Sequence, residues 1–177
     1  MTAAVRRIYT IGHSTRRADE FVAMLQAHAV TAVADVRAIP RSRRHPHFSG
    51  PALQSSLAVH GIAYEHLPGL GGLRTPDPAS RNTGWREPAF RAYADHMASP
   101  EFADALAALL QIAQKFLAAV MCAESQWWHC HRQLIADALL VRGIEVRHVV
   151  SAAEAPPHQL TPFAQEVGAE VRYPGLL

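Results

Sequence analysis

Cysteine is scarce. Only Cys122 and Cys130 occur in 177 residues, which excludes a small secreted fold stapled by several disulfides. Long apolar runs are missing too. The longest, residues 116–123, is eight residues, whereas a membrane-spanning helix needs about 18 or more. Residues 1–10 hold two arginines with no apolar segment behind them, so no secretory signal is read there. Lysine appears once, at Lys115, a bias of composition to which no chemistry is attached. The chain has no Cys-x-x-Cys, no His-Glu-x-x-His, no Gly-x-Gly-x-x-Gly and no Walker pattern. The recognised spacings for zinc, dinucleotides and P-loop nucleotides are therefore not present. Repeats, low-complexity tracts and convincing linkers are also lacking.

The composition, 49% hydrophobic and 18% charged, suits one packed core and is too apolar for a disordered chain. The length predicts a single α/β domain over 1–177 and a soluble, cytoplasmic protein without membrane contact. The formal charge is +2, but it is unevenly spread. Residues 1–47 carry eight arginines against Asp19, Glu20 and Asp35, and the remainder carries nine basic against twelve acidic residues. The excess peaks at Arg37, Arg41, Arg43 and Arg44, with no acid among them.

Strands are predicted at 7–11, 31–36, 62–67, 116–122 and 144–150, where β-branched and apolar residues cluster. Helices are predicted at about 18–28, 49–61, 88–98, 99–115 and 131–142. Ser99-Pro100-Glu101 is a strong helix start, and Gly61 and Gly143 are the stops. Residues 68–88, rich in Gly, Pro, Arg and Asn, read as a long loop. Residues 151–177 read as a C-terminal extension on the same domain. In it, Thr161-Pro162 opens a short helix, and a sixth strand lies near 169–172. Strand–helix alternation of this kind predicts a three-layer α/β fold: a mainly parallel sheet of five or six strands with helices on both faces. Its strand-to-helix loops gather at the C-terminal edge, where ligands bind in open α/β sheets.

The residues expected at that edge are rich in chemistry. The first strand leads into Gly12-His13-Ser14-Thr15. The second leads into Asp35, Arg37 and the run Arg41-Ser42-Arg43-Arg44-His45, and His66 lies near the end of the third. The fourth leads into Cys122-Ala123-Glu124, after which Cys130-His131-Arg132 opens a helix. The combination of Tyr9-Thr10-Ile11-Gly12-His13-Ser14, Asp35-Val36-Arg37 with Pro40-Arg41-Ser42-Arg43, Met121-Cys122-Ala123-Glu124 and Cys130-His131-Arg132 resembles the bacterial family called domain of unknown function 488. The resemblance runs from about residue 7 to 150 and extends towards Leu160-Thr161-Pro162. Four separated motifs in order make it specific. It implies no established activity. The family's recurring positions fall on His13, Ser14, Asp35, Arg37, Arg41, Arg43, Cys122, Glu124, Cys130, His131 and Arg132. Trp127-Trp128 is a local feature it does not account for.

Each residue has a chemical and a plain reading. Cys130, expected in the first helical turn beside His129, His131 and Arg132, suits a thiolate. Cys122 at a strand end is its expected partner; the plain reading of both is a small buried hydrophobe. A phosphatase-type loop needs about four or five residues between its cysteine and the helix-opening arginine. Here those positions are Trp127 and Gln126, so that chemistry is not supported. As metal ligands, Cys122, Cys130 and His131 are of the right types. But adjacent Cys130 and His131 would diverge by about 100° on a helix. Arg37, Arg41, Arg43 and Arg132, with Ser14, are expected to bind an anion, since guanidinium forks match phosphate and carboxylate oxygens. His13 and Glu124 are candidate proton-handling partners of the cysteines, and Asp35 and His131 orienting groups. Trp85, Trp127 and Trp128 fit packing better than base stacking.

The leading expectation is an enzyme with cysteine chemistry at the sheet edge. It would act on an anionic or phosphorylated small molecule or nucleic-acid component, with Cys122, Cys130, His13 and Glu124 catalytic. The alternatives are a non-catalytic nucleotide or nucleic-acid binding module and a thiol or metal sensor. No cofactor is assigned by the residues.

Overall fold

The computed structural model describes residues 4–176. Five strands, β1 (Arg7–Gly12), β2 (Ala32–Asp35), β3 (Ala63–His66), β4 (Ala118–Cys122) and β5 (Glu145–Val149), form an all-parallel sheet in the order β3-β2-β4-β1-β5. Helices α1 (Ala18–Ala27), α2 (Gly50–Ala58), α3 (Pro88–His96), α4 (Pro100–Lys115) and α5 (Arg132–Leu140) make the crossovers. A parallel sheet covered on both faces needs apolar residues pointing both ways, and the central strand β4 is buried at all five positions.

Strand periodicity sorts the core into two layers. Ile8, Ala34, Val120 and Val146 pack with Tyr93 of α3, with Phe102, Leu106 and Leu109 of α4, and with Leu134 and Ile135 of α5. Tyr9, Ile11, Val33, Ala119 and Met121 pack on the opposite face with Phe21 and Leu25 of α1 and Leu53 and Leu57 of α2. Helices thus lie on both faces, as the alternation predicts. The order of the strands also sets the place of the site. From β1 the chain goes by α1 to β2 on one side, and from the adjacent β4 it goes by α5 to β5 on the other. Neighbouring strands whose connections diverge leave a crevice at their C-terminal ends.

Local signals explain the boundaries. Ser99 caps α4, its hydroxyl accepting from Phe102 N–H at 3.2 Å, with Pro100 and Glu101 in the first turn and Lys115 in the last. Gly61 and Gly143, at φ +69° and +78°, stop α2 and α5 in the left-handed region that a Cβ disfavours.

Three expectations need correction. The strand near 169–172 does not extend the sheet. Short strands β6 (Gln165–Val167) and β7 (Glu170–Arg172) pair with each other in a separate antiparallel ribbon. Thr161-Pro162 opens no helix but a turn. The Thr161 amide and hydroxyl are committed to the Asp137 carboxylate instead. Cys130 lies before α5, one position ahead of its N-cap His131, not in the first turn. The long segment between β3 and α3 contains a single 3-10 turn, Pro68–Leu70. It is tied down by Arg74 donating to the Pro68, Gly69 and Gly71 carbonyls, and by Ser80 and Asn82 donating to Asp95. Among the described residues, no helix is long and apolar enough to cross a membrane.

Replacing Ser99 with alanine removes the α4 cap and is expected to lower stability by about 1 kcal/mol. Urea unfolding followed by circular dichroism checks this, and an unchanged midpoint would show the cap to be idle.

Candidate active site at the β1–β4 switch point

The loops leaving β1 and β4 are joined across the crevice. His13 N–H donates to Cys122 O and Ser14 N–H to Ala123 O, both at 2.9 Å. A Cβ on Gly12 would lie 1.8 Å from the Glu124 carbonyl oxygen, so only glycine permits this approach. The junction separates two depressions. One, of about 400 Å³, is lined by Cys122, Cys130 and His131, by Arg37 and Arg41, and by the apolar Ile39, Leu73 and Phe90. The other, of about 370 Å³, is lined by His13, Ser14, Arg43, Arg44 and His45.

The two cysteines meet. Their Sγ atoms are 2.7 Å apart, with relative exposures of 3% for Cys122 and 6% for Cys130. Arg132, fully buried at the start of α5, donates from Nε to Cys122 Sγ at 3.0 Å and from its backbone N–H to Cys130 Sγ at 3.5 Å. Its Nη1 donates to Thr10 Oγ1 at 3.1 Å, and its Nη2 to the Glu124 carbonyl. The guanidinium expected to hold an anion thus has its donors engaged inside the protein and forms no part of either depression's lining.

His131 Nε2–H donates to the Val36 carbonyl at 3.0 Å, which leaves Nδ1, 3.5 Å from Cys130 Sγ, as the nitrogen placed to take the thiol proton and donate it back to a thiolate. Burial pushes the Cys130 thiol up. Hydrogen bonding to Cys122 and His131, with the Arg132 charge, outweighs it and holds Cys130 well below the usual thiol range. Cys122 is pushed well up by burial and by its hydrogen bond to Cys130. The surroundings thus favour a thiolate at Cys130 over one at Cys122, with the Cys122 thiol placed to donate to it and Cys122 Sγ accepting from Arg132 Nε. Two tetrahedral zinc ligands would hold their sulfurs about 3.8 Å apart, wider than this pair. Among the described residues, no group of three or more His, Cys, Asp or Glu side chains is placed to hold a metal ion.

Asp35 and Arg37 form a second buried unit. Arg37 donates from Nε to Oδ1 at 2.9 Å and from Nη2 to Oδ2 at 2.6 Å, while Tyr64 donates its hydroxyl to Oδ2 at 2.6 Å. His13 donates from Nδ1 to the Ser14 carbonyl at 2.8 Å, and its Nε2 accepts from Arg37 Nη1 at 3.4 Å. His13 is therefore neutral and stacks on Phe48. Its carbonyl partner and its packing fix the loop.

Arg41, Arg43 and Arg44 are exposed, and among the described residues their guanidinium groups make no hydrogen bond or ion pair. The Glu124 carboxylate turns to its own loop, accepting from Gln126 N–H and Ser125 Oγ; only its backbone carbonyl meets Arg132. Trp85 packs against Phe90, Phe163 and Tyr173. Trp127 stacks on His148 with ring centroids 4.1 Å apart and planes 4° apart, while Trp128 is exposed.

Thr10, Tyr64, His148, His158 and Asp137 escaped the sequence reading. A signal existed for two of them. Thr10 and His148 are polar residues at apolar positions of β1 and β5, and both are at most 1% exposed. The others carry none, because their partners are far away in the chain.

The family model described as Domain of unknown function DUF488 matches residues 17–139, more than two thirds of the chain. The matched span holds Asp35, Arg37 and the whole cysteine motif but begins after His13 and ends before His148. No curated protein and no solved structure matches the chain.

His13 is lowered from 6.5 to about 4 by burial, with Arg37 adding to the effect. His148 is lowered to about 3 by burial, His158 and Arg132. Both stay neutral in the folded state while the unfolded chain takes up a proton below about 6.5. The unfolded state then binds more protons, so stability falls as pH drops from about 6.5 towards 4 and 3. The expected slope is at most about 1.4 kcal/mol per pH unit for each histidine. Urea midpoints at pH 7 and pH 5 read this directly, and equal midpoints would contradict it.

Proposed function

The chain belongs to the DUF488 family, a premise that supplies no reaction, and we propose that it is an enzyme whose Cys130 thiolate attacks the carbonyl carbon of an anionic ester or thioester and expels the alcohol or thiol, which leaves with the proton taken from Cys130, before water hydrolyses the acyl-thioester to the acid. The observation that carries this reading is the sulfur pair, 2.7 Å apart, braced by Arg132 and lining an open depression. A thiolate is the nucleophilic form of cysteine. His131 Nδ1 is the group that takes the Cys130 proton, since its other nitrogen is committed to Val36. Arg41, exposed and without an internal partner, is the cation left to hold the substrate's anionic group. Ile39, Leu73 and Phe90 suit an apolar portion of the same molecule. Arg37 stiffens the wall through Asp35. Cys122 acts as hydrogen-bond donor to the thiolate and second thiol.

The exposed Arg41, Arg43 and Arg44 favour a second reading, a nucleotide or nucleic-acid binding module without catalysis. It predicts oligonucleotide binding that weakens steeply with salt and is indifferent to loss of Cys130. The close sulfurs also fit a thiol sensor, which predicts a reversible Cys122–Cys130 disulfide and no turnover.

The probe for the enzyme reading is alkylation of the full chain by iodoacetate and by iodoacetamide, read by mass spectrometry. Cys130 is expected to favour the anionic reagent by about tenfold relative to free cysteine. Arg41→Gln is expected to erase the preference and Cys130→Ser to abolish labelling there. A wild-type ratio equal to that of free cysteine sinks the anion-directed thiolate. Turnover of anionic esters and thioesters is expected to vanish in Cys130→Ser, and turnover that survives the substitution removes Cys130 as nucleophile.

A further inference from the structure

Thr10 of β1 and His148 of β5 are paired in register, on the face that packs against α5. Beyond β5, the segment around Pro157 bridges to the strand edge. His148 N–H donates to Pro156 O and His158 N–H to Val146 O. That pairing sets His158 beside His148. The result is a buried line of side chains: Arg132 Nη1 to Thr10 Oγ1 at 3.1 Å, Thr10 Oγ1 to His148 Nδ1 at 2.6 Å, His148 Nε2 to His158 Nδ1 at 2.9 Å, and His158 Nε2 to Asp137 Oδ1 at 2.7 Å.

The two ends of this line have a fixed direction. A guanidinium has no acceptor, so Thr10 Oγ1 accepts from Arg132 Nη1, and Asp137 Oδ1 accepts from His158 Nε2–H. Between them, one hydrogen bond joins Thr10 to His148 and one joins His148 to His158. Asp137 completes its shell with the Thr161 amide and hydroxyl and the Tyr173 hydroxyl. Trp127, in the turn that leads to Cys130, lies flat on His148, so the same line also supports the cysteine loop.

We infer that Thr10, His148, His158 and Asp137 are positioning residues that hold the Arg132 guanidinium against Cys122 Sγ and thereby keep the cysteine pair reactive. All four side chains are buried, so Thr10 Oγ1 is the acceptor that packing offers Arg132 Nη1, while Nε and Nη2 are held by Cys122 Sγ and the Glu124 carbonyl. The inference rests on the proposed function only in taking the thiolate as the reactive species. The charged and titratable groups that face the pair are Arg132 and His131 at the start of α5, Tyr93 of α3, Arg37 and Arg41 beyond β2, and His129 and Glu124 of the loop after β4.

The experiment is the pH dependence of cysteine alkylation by iodoacetamide on the full chain. Thr10→Val removes the first link at nearly constant volume. It is expected to move the alkylation profile to higher pH and to slow the reaction about tenfold at a pH of about 6. Thr10→Ser restores the hydroxyl and is expected to return the wild-type profile. A folded Thr10→Val with an unchanged profile overturns the inference. If that variant does not fold, long-range ¹H–¹⁵N spectra of the wild-type protein decide. His158 Nε2 is expected to carry a proton held in a hydrogen bond to Asp137, and a bare Nε2 there breaks the line and overturns the proposal. Neither readout needs a substrate. Loss of the iodoacetate preference would sink the enzyme reading alone, and an unmoved alkylation profile would sink this inference alone.

Discussion

A fully buried guanidinium is the constraint on which the site depends. Removing an arginine from water is costly unless its donors find acceptors, and Arg132 finds them on β1, β4 and the loop after β4. Those acceptors dictate much of the surrounding sequence. Glycine stands at position 12 because the Glu124 backbone must come close enough to reach both the β1 loop and Arg132. A threonine stands in an otherwise apolar strand because Nη1 needs an oxygen. A sulfur at Cys122 receives Nε, and so the cation sits against the thiol pair.

The protein uses two buried carboxylates in different ways. Asp35 grips Arg37 directly with both oxygens, a short and rigid ion pair at the mouth of the crevice. Asp137 reaches Arg132 only through the hydrogen-bonding side chains of His158, His148 and Thr10. The first arrangement neutralises its cation locally. The second leaves positive charge concentrated next to the sulfurs, because its counter-charge lies at the far end of α5's first two turns. A thiolate is favoured where such charge is not cancelled.

The sheet and its helices were legible because they follow from local pattern, and so was the gathering of the candidate residues at one sheet edge. Helix starts such as Ser99-Pro100-Glu101 and stops such as Gly143 act within one turn of chain, and the apolar strands announce a covered parallel sheet. The segment after β5 was misread for the opposite reason. Thr161 carries a good helix-start signal, but its amide and hydroxyl are claimed by Asp137, 24 residues earlier. The strand near 169–172 found a hairpin partner in residues 165–167 before it could reach the sheet. At the site, Cys122, Cys130, His131 and Arg132 were legible as a cluster. That Arg132 faces inward while Arg41 stays free was not, since residue type alone does not say which guanidinium the fold buries.

The amino-acid order by itself determined a parallel α/β chain with its chemistry gathered at one sheet edge, because strand and helix periodicities and caps are short-range and additive. Tertiary structure alone decided the strand order, the contact of the two sulfurs and the hydrogen-bonded line from Arg132 to Asp137. Those depend on atoms brought together from β1, β4, α5, β5 and the C-terminal segment. Hydrogen bonds are short and directional, so their partners are chosen only when packing has fixed the distances.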